Sequence, residues 1–141
     1  MLDECHECTL CQRACPTGAI PDDRFLLRAE RCIAFHNEHE RDFPDWLRPE
    51  WHNALVGCML CQKVCPVNKP VVDWIEDTCE FSEKETTQII DQVSTERFSA
   101  GTLEKLKNKH FEVSISTLGR NLKALMIEKG IVNDRPSSDS Q

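Results

Sequence analysis

No run of apolar residues in this chain approaches the length of a membrane span, so the sequence offers no transmembrane helix. The stretch Met1-Leu2-Asp3-Glu4 has neither a basic leader nor an apolar core, which argues against a secretory signal. Basic residues are also in short supply: 17 Lys and Arg stand against 24 Asp and Glu, a net charge of −7. That balance disfavours non-specific binding to nucleic acid or anionic lipid. Confident strand patterns are missing too. Nine cysteines are abundant for 141 residues, but their odd number and the missing secretion signal do not fit a disulfide framework. Reduced thiols in the cytoplasm, used to bind metal, are the reading that remains.

Eight of the nine cysteines fall between Cys5 and Cys65. Cys5, Cys8, Cys11 and Cys15 form a C-x2-C-x2-C-x3-C run followed by Pro16. Fifty residues later Cys58-Met59-Leu60-Cys61-Gln62-Lys63-Val64-Cys65-Pro66 repeats the pattern of Cys8-Thr9-Leu10-Cys11-Gln12-Arg13-Ala14-Cys15-Pro16. At this offset Cys5 matches Leu55, so the second copy is one sulfur short. Such a run is the bacterial ferredoxin arrangement, in which three close cysteines wrap one [4Fe–4S] cluster and the fourth ligates the other. Applied here, Cys5, Cys8, Cys11 and Cys65 take one cluster, and Cys15, Cys58 and Cys61 take the second. Cys32 is the available candidate for the missing eighth ligand. Structural zinc also uses C-x2-C pairs, but usually separates them by longer loops. Four cysteines within eleven residues, recurring as a unit, favour two [4Fe–4S] clusters.

Outside this set the signals are weaker. Cys79 reads as a small buried residue in a helix. His36 and His39 read as surface histidines, and His6 as either exposed or a hydrogen-bond donor to the first cluster. Trp46, Trp51 and Trp74 are expected to pack around and beneath the clusters. "PDWLRPEWHNAL" suggests short helical turns broken at Pro49. Beyond Pro70 helix signals dominate. Ser82 with Glu85 makes a capping box for a helix over 83–93. Thr102 is expected to cap a short helix through Leu103 and Leu106. A longer helix is predicted over 117–129, with Leu118, Leu122, Leu125 and Met126 on one face and Gly130 at its end. The predicted organisation is a double-cluster module over 1–72, a helical region over 73–132 and a disordered polar tail over 133–141. No catalytic residue is assigned.

"CPTGAI", "RCIAF", "GCMLCQKVCPVN" and "LGRNLKAL" together resemble the C-terminal part of epoxyqueuosine reductases. Reductive dehalogenases carry a related module. The resemblance implies an α+β, mostly helical fold: a ferredoxin-like double-cluster module followed by HEAT-like helices. It implies the same two ligand sets, with Cys32 displaced into the second. It further implies electron transfer, with a ferredoxin or flavodoxin as donor and a cobalamin-bearing reductase domain as partner. In that family the cobalamin domain precedes the first cluster motif, whereas here only four residues precede Cys5. The expectation is therefore a fragment of a longer reductase or a freestanding electron carrier. Val67 stands where the family commonly has tryptophan. A tRNA-contacting helical region, supported locally by Lys105, Lys107 and Lys109, is the main rival. A subunit of a heterodisulfide-reductase-like complex is a second, disfavoured because Leu55 leaves one motif incomplete.

Overall fold

The structure is a computed structural model and describes residues 3–23, 26–74, 79–91, 95–109, 111 and 115–131. Its helices are α1 (Leu10–Ala14), α2 (Ile33–Glu38), α3 (Leu60–Lys63), α4 (Glu83–Ile90), α5 (Ala100–Asn108) and α6 (Ile115–Glu128). Single 3-10 turns lie between them at Asp3–Cys5, Ala29–Arg31, Pro49–Trp51, Pro66–Asn68 and Thr95–Arg97. Among the described residues there is no strand. The fold is mostly helical, and the β component expected of an α+β module is not seen there. None of the described helices is long and apolar enough to cross a membrane.

The two copies of the cysteine repeat fold alike because their sequences impose the same local limits. In each, one short helix carries the middle cysteine, Cys11 in α1 and Cys61 in α3. Each copy then becomes extended at its last cysteine, with φ −79° and ψ 108° at Cys15 and φ −72° and ψ 121° at Cys65. The following prolines enforce this, because a residue before proline is driven out of the helical region. The hydrogen bonds repeat as well, from the Cys15 N–H to the Gln12 carbonyl and from the Cys65 N–H to that of Gln62, both 3.2 Å. Helices α1 and α3 pack against each other. That contact joins the two copies.

The second half packs onto the first through α6, which meets α2 and the Pro49–Trp51 turn. Helix α4 begins at the anticipated capping box: Ser82 Oγ accepts from the Glu85 N–H at 3.3 Å, and the Ser82 N–H donates to Glu85 Oε2 at 2.7 Å. The helix ends at Ile90 with Asp91 as its cap, short of the predicted end, and 92–93 lies outside the described residues. Helix α5 starts earlier than expected. Its cap is Ser99, which accepts from the Thr102 N–H at 3.1 Å, while Thr102 is buried inside the helix and donates to Glu85 at 2.9 Å. Lys105 meets the same carboxylate at 2.8 Å, fixing α4 to α5. Lys105, the Ser82 N–H and the Ser82 hydroxyl hold Glu85 down to about 2, against the opposing effect of burial. Glu85 is thus an ionised clasp at any ordinary pH. Its pairing with Lys105 also removes one of the three lysines from any external partner.

Helix α6 ends where Gly130 adopts φ 67° and Ile131 N–H reaches back to the Met126 carbonyl at 2.8 Å. Its inner face carries Leu118, Asn121 and Ala124, while Leu122, Leu125 and Met126 are only half-buried. Leu118, Leu106 and Phe98 form a buried cluster, with Leu55, Val56, Phe81 and Ile89 packed around it. Helix α6 also packs against α4, α2 and the Pro49–Trp51 turn. Pro49 opens that turn at its first position, where a missing N–H costs nothing, rather than breaking a helix. The tail over 133–141 lies outside the described residues.

Candidate metal centre

Cys15, Cys32, Cys58 and Cys61 line one cavity, together with Pro16, Ala19, Ile20, Leu27, Ile33 and Leu60. The thiols come from three places: the end of α1, the residue before α2, and the start and interior of the α3 copy. Cys32 is extended, φ −80° and ψ 127°, which lets it leave the Ala29–Arg31 turn and enter α2 while facing the repeat. The sequence-derived second set is therefore brought together. Among the described residues, no three His, Cys, Asp or Glu side chains converge as a single metal ion requires.

Donors lie against three of these sulfurs. Cys15 Sγ accepts from the Ala19 N–H at 3.3 Å and lies 3.4 Å from the Thr17 hydroxyl. Cys58 Sγ accepts from Asn53 Nδ2 at 3.3 Å, and Cys61 Sγ from Gln62 Nε2 at 3.8 Å. Burial opposes ionisation of Cys15, yet the Thr17 hydroxyl and the N–H groups of Ala19, Thr17 and Ile20 together bring its thiol below the usual range. Burial pushes Cys61 up, the Gln62 amide offsets part of this, and the charges of Cys58 and Cys15 raise it further. These sulfurs share one electrostatic field. A thiolate-only set resists full ionisation, whereas a cationic iron core between the sulfurs relieves the repulsion. The donor set and the apolar walls fit an iron–sulfur group.

The other four cysteines are half-buried. Cys5 closes the first 3-10 turn, Cys8 lies in the loop after it, Cys11 is within α1, and Cys65 links α3 to the Pro66–Asn68 turn. The α1–α3 contact sets the helix of Cys11 beside the helix that leads into Cys65.

Leu55 shows why the second copy lacks a cysteine. Its side chain packs against the Phe98–Leu106–Leu118 cluster, and its carbonyl accepts from Asn121 Nδ2 at 2.7 Å. Position 55 is committed to the helical half. Gly57, with φ 69°, then turns the chain into Cys58.

Several expectations are corrected. Cys79 lies in the segment before α4, half-buried, and not in a helix. Trp74 is 77% exposed and Trp46 39%, so neither is a core residue; Trp51 is half-buried under Arg48. His39 is exposed, as expected, whereas His36 is half-buried; each is bonded to a backbone carbonyl within or just before its own helix, Phe35 and Glu30 respectively. His6 is exposed beside Asp3, the first of its two expected readings.

Sequence reasoning missed four polar residues. Asn37 and Asn121 are fully buried. Asn37 Nδ2 holds the carbonyls of Ala54 (3.3 Å) and Gly57 (2.8 Å), and Asn121 Nδ2 holds those of Asn37 (2.8 Å) and Leu55 (2.7 Å). Arg120 donates to Asn121 Oδ1 and to the carbonyls of His36 and His39. Asn53 is the donor to Cys58. The one signal available was Asn121 itself, a polar residue three positions after Leu118 on an otherwise apolar helix face.

Two cysteine repeats that meet Cys32 at one cavity within a small helical module define a class. Residues 4–68 match the family described as a 4Fe-4S double cluster binding domain, and this part of the chain is an iron–sulfur module that binds two [4Fe–4S] clusters. The particular resemblance is to epoxyqueuosine reductase. The enzyme of that name from Bacillus subtilis is 46% identical over 67 residues, 48% of this chain and 17% of the relative. That of Synechococcus sp. (strain RCC307) is 32% identical over 123 residues, 82% of this chain and 38% of the relative. A crystal structure of selenomethionine-labelled epoxyqueuosine reductase matches with a TM-score of 0.61 at 28% identity, over 91% of this chain and 34% of that one. The chain thus spans no more than 38% of the length of these relatives.

Proposed function

We propose that the chain is the electron-transfer part of an epoxyqueuosine-reductase-like oxidoreductase. Cys5, Cys8, Cys11 and Cys65 hold one cluster, and Cys15, Cys32, Cys58 and Cys61 the other. The observation that carries this reading is the cavity in which cysteines from both repeat copies meet Cys32. Bound there, [4Fe–4S] clusters supply reversible one-electron chemistry at a potential tuned by burial and by hydrogen bonds to sulfur.

The chain's own residues perform the rest. Ile20, Ile33 and Leu60 keep the second site apolar, and the amides at Asn53 and Ala19 favour charge on the sulfurs. The double-cluster module extends over about 1–72. The helical region after it, HEAT-like in the resembling family, braces the Leu55–Cys58 segment through α6. A ferredoxin or flavodoxin donor and a cobalamin-bearing domain are the partners this role requires, with tRNA the substrate of the larger enzyme. Reduced thiols of this kind suit the cytoplasm.

Iron and acid-labile sulfide, measured on protein purified without oxygen, test the reading. The expected result is about eight of each per chain. Zinc with little sulfide overturns it.

A further inference from the structure

We propose that Asn53 is a positioning residue of the second cluster: its side-chain amide holds the Cys58 sulfur and raises the reduction potential of the group bound there. The inference rests on the reading of Cys58 as a ligand of that cluster.

Asn53 Nδ2 is within 3.3 Å of two acceptors, the Trp51 carbonyl and Cys58 Sγ. The –NH2 group has two hydrogens and satisfies both. Turning the amide over would set Oδ1 against a carbonyl oxygen and a sulfur, both electron-rich, so the Trp51 carbonyl fixes which end faces Cys58. Asn53 Oδ1 is itself buried without a hydrogen-bond partner. The side chain therefore tolerates an orphaned acceptor in order to keep its donor end where it is.

The support beneath this donor is rigid. His52, the preceding residue, is buried, with its ring 4.5 Å from that of Phe43. Asn37 grips the carbonyls of Ala54 and Gly57 on the other side. An amide held this way is oriented before any electron arrives, so reorientation costs little. Adding an electron increases negative charge on the cluster and its sulfurs. An N–H aimed at one of those sulfurs stabilises the reduced form more than the oxidised form, and the potential rises. Gln62 offers a built-in comparison, because its amide is 3.8 Å from Cys61 Sγ on an exposed side chain.

The test is a redox titration of the iron-loaded protein, followed by electron paramagnetic resonance, on the native chain, Asn53→Leu, Asn53→Asp, Asn53→Ser and Gln62→Leu. One of the two midpoint potentials should move negative in Asn53→Leu and further in Asn53→Asp, where a carboxylate replaces the donor. The other potential should stay in place, and Gln62→Leu should move neither as far. Potentials that stay fixed, or that shift together, at full iron content contradict the proposal. Iron content decides the case in which a cluster is lost. About four irons in the leucine and aspartate variants but about eight in the serine variant, which keeps a donor, supports it. Loss in all three assigns Asn53 a purely structural role. Cys58→Ser, run in parallel, separates the two layers. If it leaves both signals unchanged, the ligand set is wrong, whatever the Asn53 variants do.

Discussion

Replacing Cys32 with alanine should lower iron from about eight to about four per chain, with one set of cluster signals lost and the other kept. Cys32 is the only member of the proposed ligand sets outside both repeat copies, and neither motif's spacing demands it. Its proposed role follows from Leu55. That position is drawn into the helical half by the Phe98–Leu106–Leu118 cluster and by Asn121, so the second copy cannot present a sulfur there. Cys32 lines the cavity of Cys15, Cys58 and Cys61 in its place. Three thiolates leave one corner of a four-iron core without a protein ligand, and no described carboxylate or histidine lines that cavity to substitute. Cys79→Ala is the control and should keep about eight irons. A Cys32→Ala protein that also keeps them removes the displaced ligand from the account.

Asn121→Leu should raise amide hydrogen exchange in α6 about a hundredfold, corresponding to about 3 kcal/mol of lost protection. The leucine has a similar volume, so a cavity is not the cause. The loss comes from polar groups left behind. The carbonyls of Asn37 and Leu55 lose their shared donor, and the Arg120 guanidinium loses an acceptor that meets it through both Nε and Nη2. Each buried group left without a partner costs about 1–3 kcal/mol. Burial already pushes Arg120 below its usual range, so the loss of an acceptor falls on a poorly solvated cation. The same variant loosens the segment that leads into Cys58, and a chelator should strip iron from it faster than from the native chain. Exchange rates within threefold of native would mean that α6 is held by its apolar contacts alone.

The legible parts of this protein were those written in short, stereotyped patterns. The Ser82–Glu85 box, the Gly130 helix end and the paired repeats all carry local chemistry that fixes local geometry. The repeat itself was legible because its fifty-residue offset is invariant across nine positions. Local pattern failed where tertiary demands decide. Helices α1, α2 and α3 have four to six residues, too few for an apolar period to emerge. Ser99 and Thr102 are both good caps, and the choice between them depends on Glu85, a residue on another helix. The tryptophans near the motifs suggested a core, yet Trp74 is exposed and the core lies under α6. Asn37 and Asn53 are invisible to hydrophobic patterning because their value lies in backbone carbonyls and one sulfur, and Asn121 shows only as a polar break in an apolar face.

Anaerobic reductive titration with a calibrated one-electron donor tests the central claim most directly. The account predicts uptake of about two electrons per chain, one for each cluster. Both should return to an added oxidant with the iron content unchanged. Uptake of one electron or none by protein carrying its full iron would contradict electron transfer through two clusters.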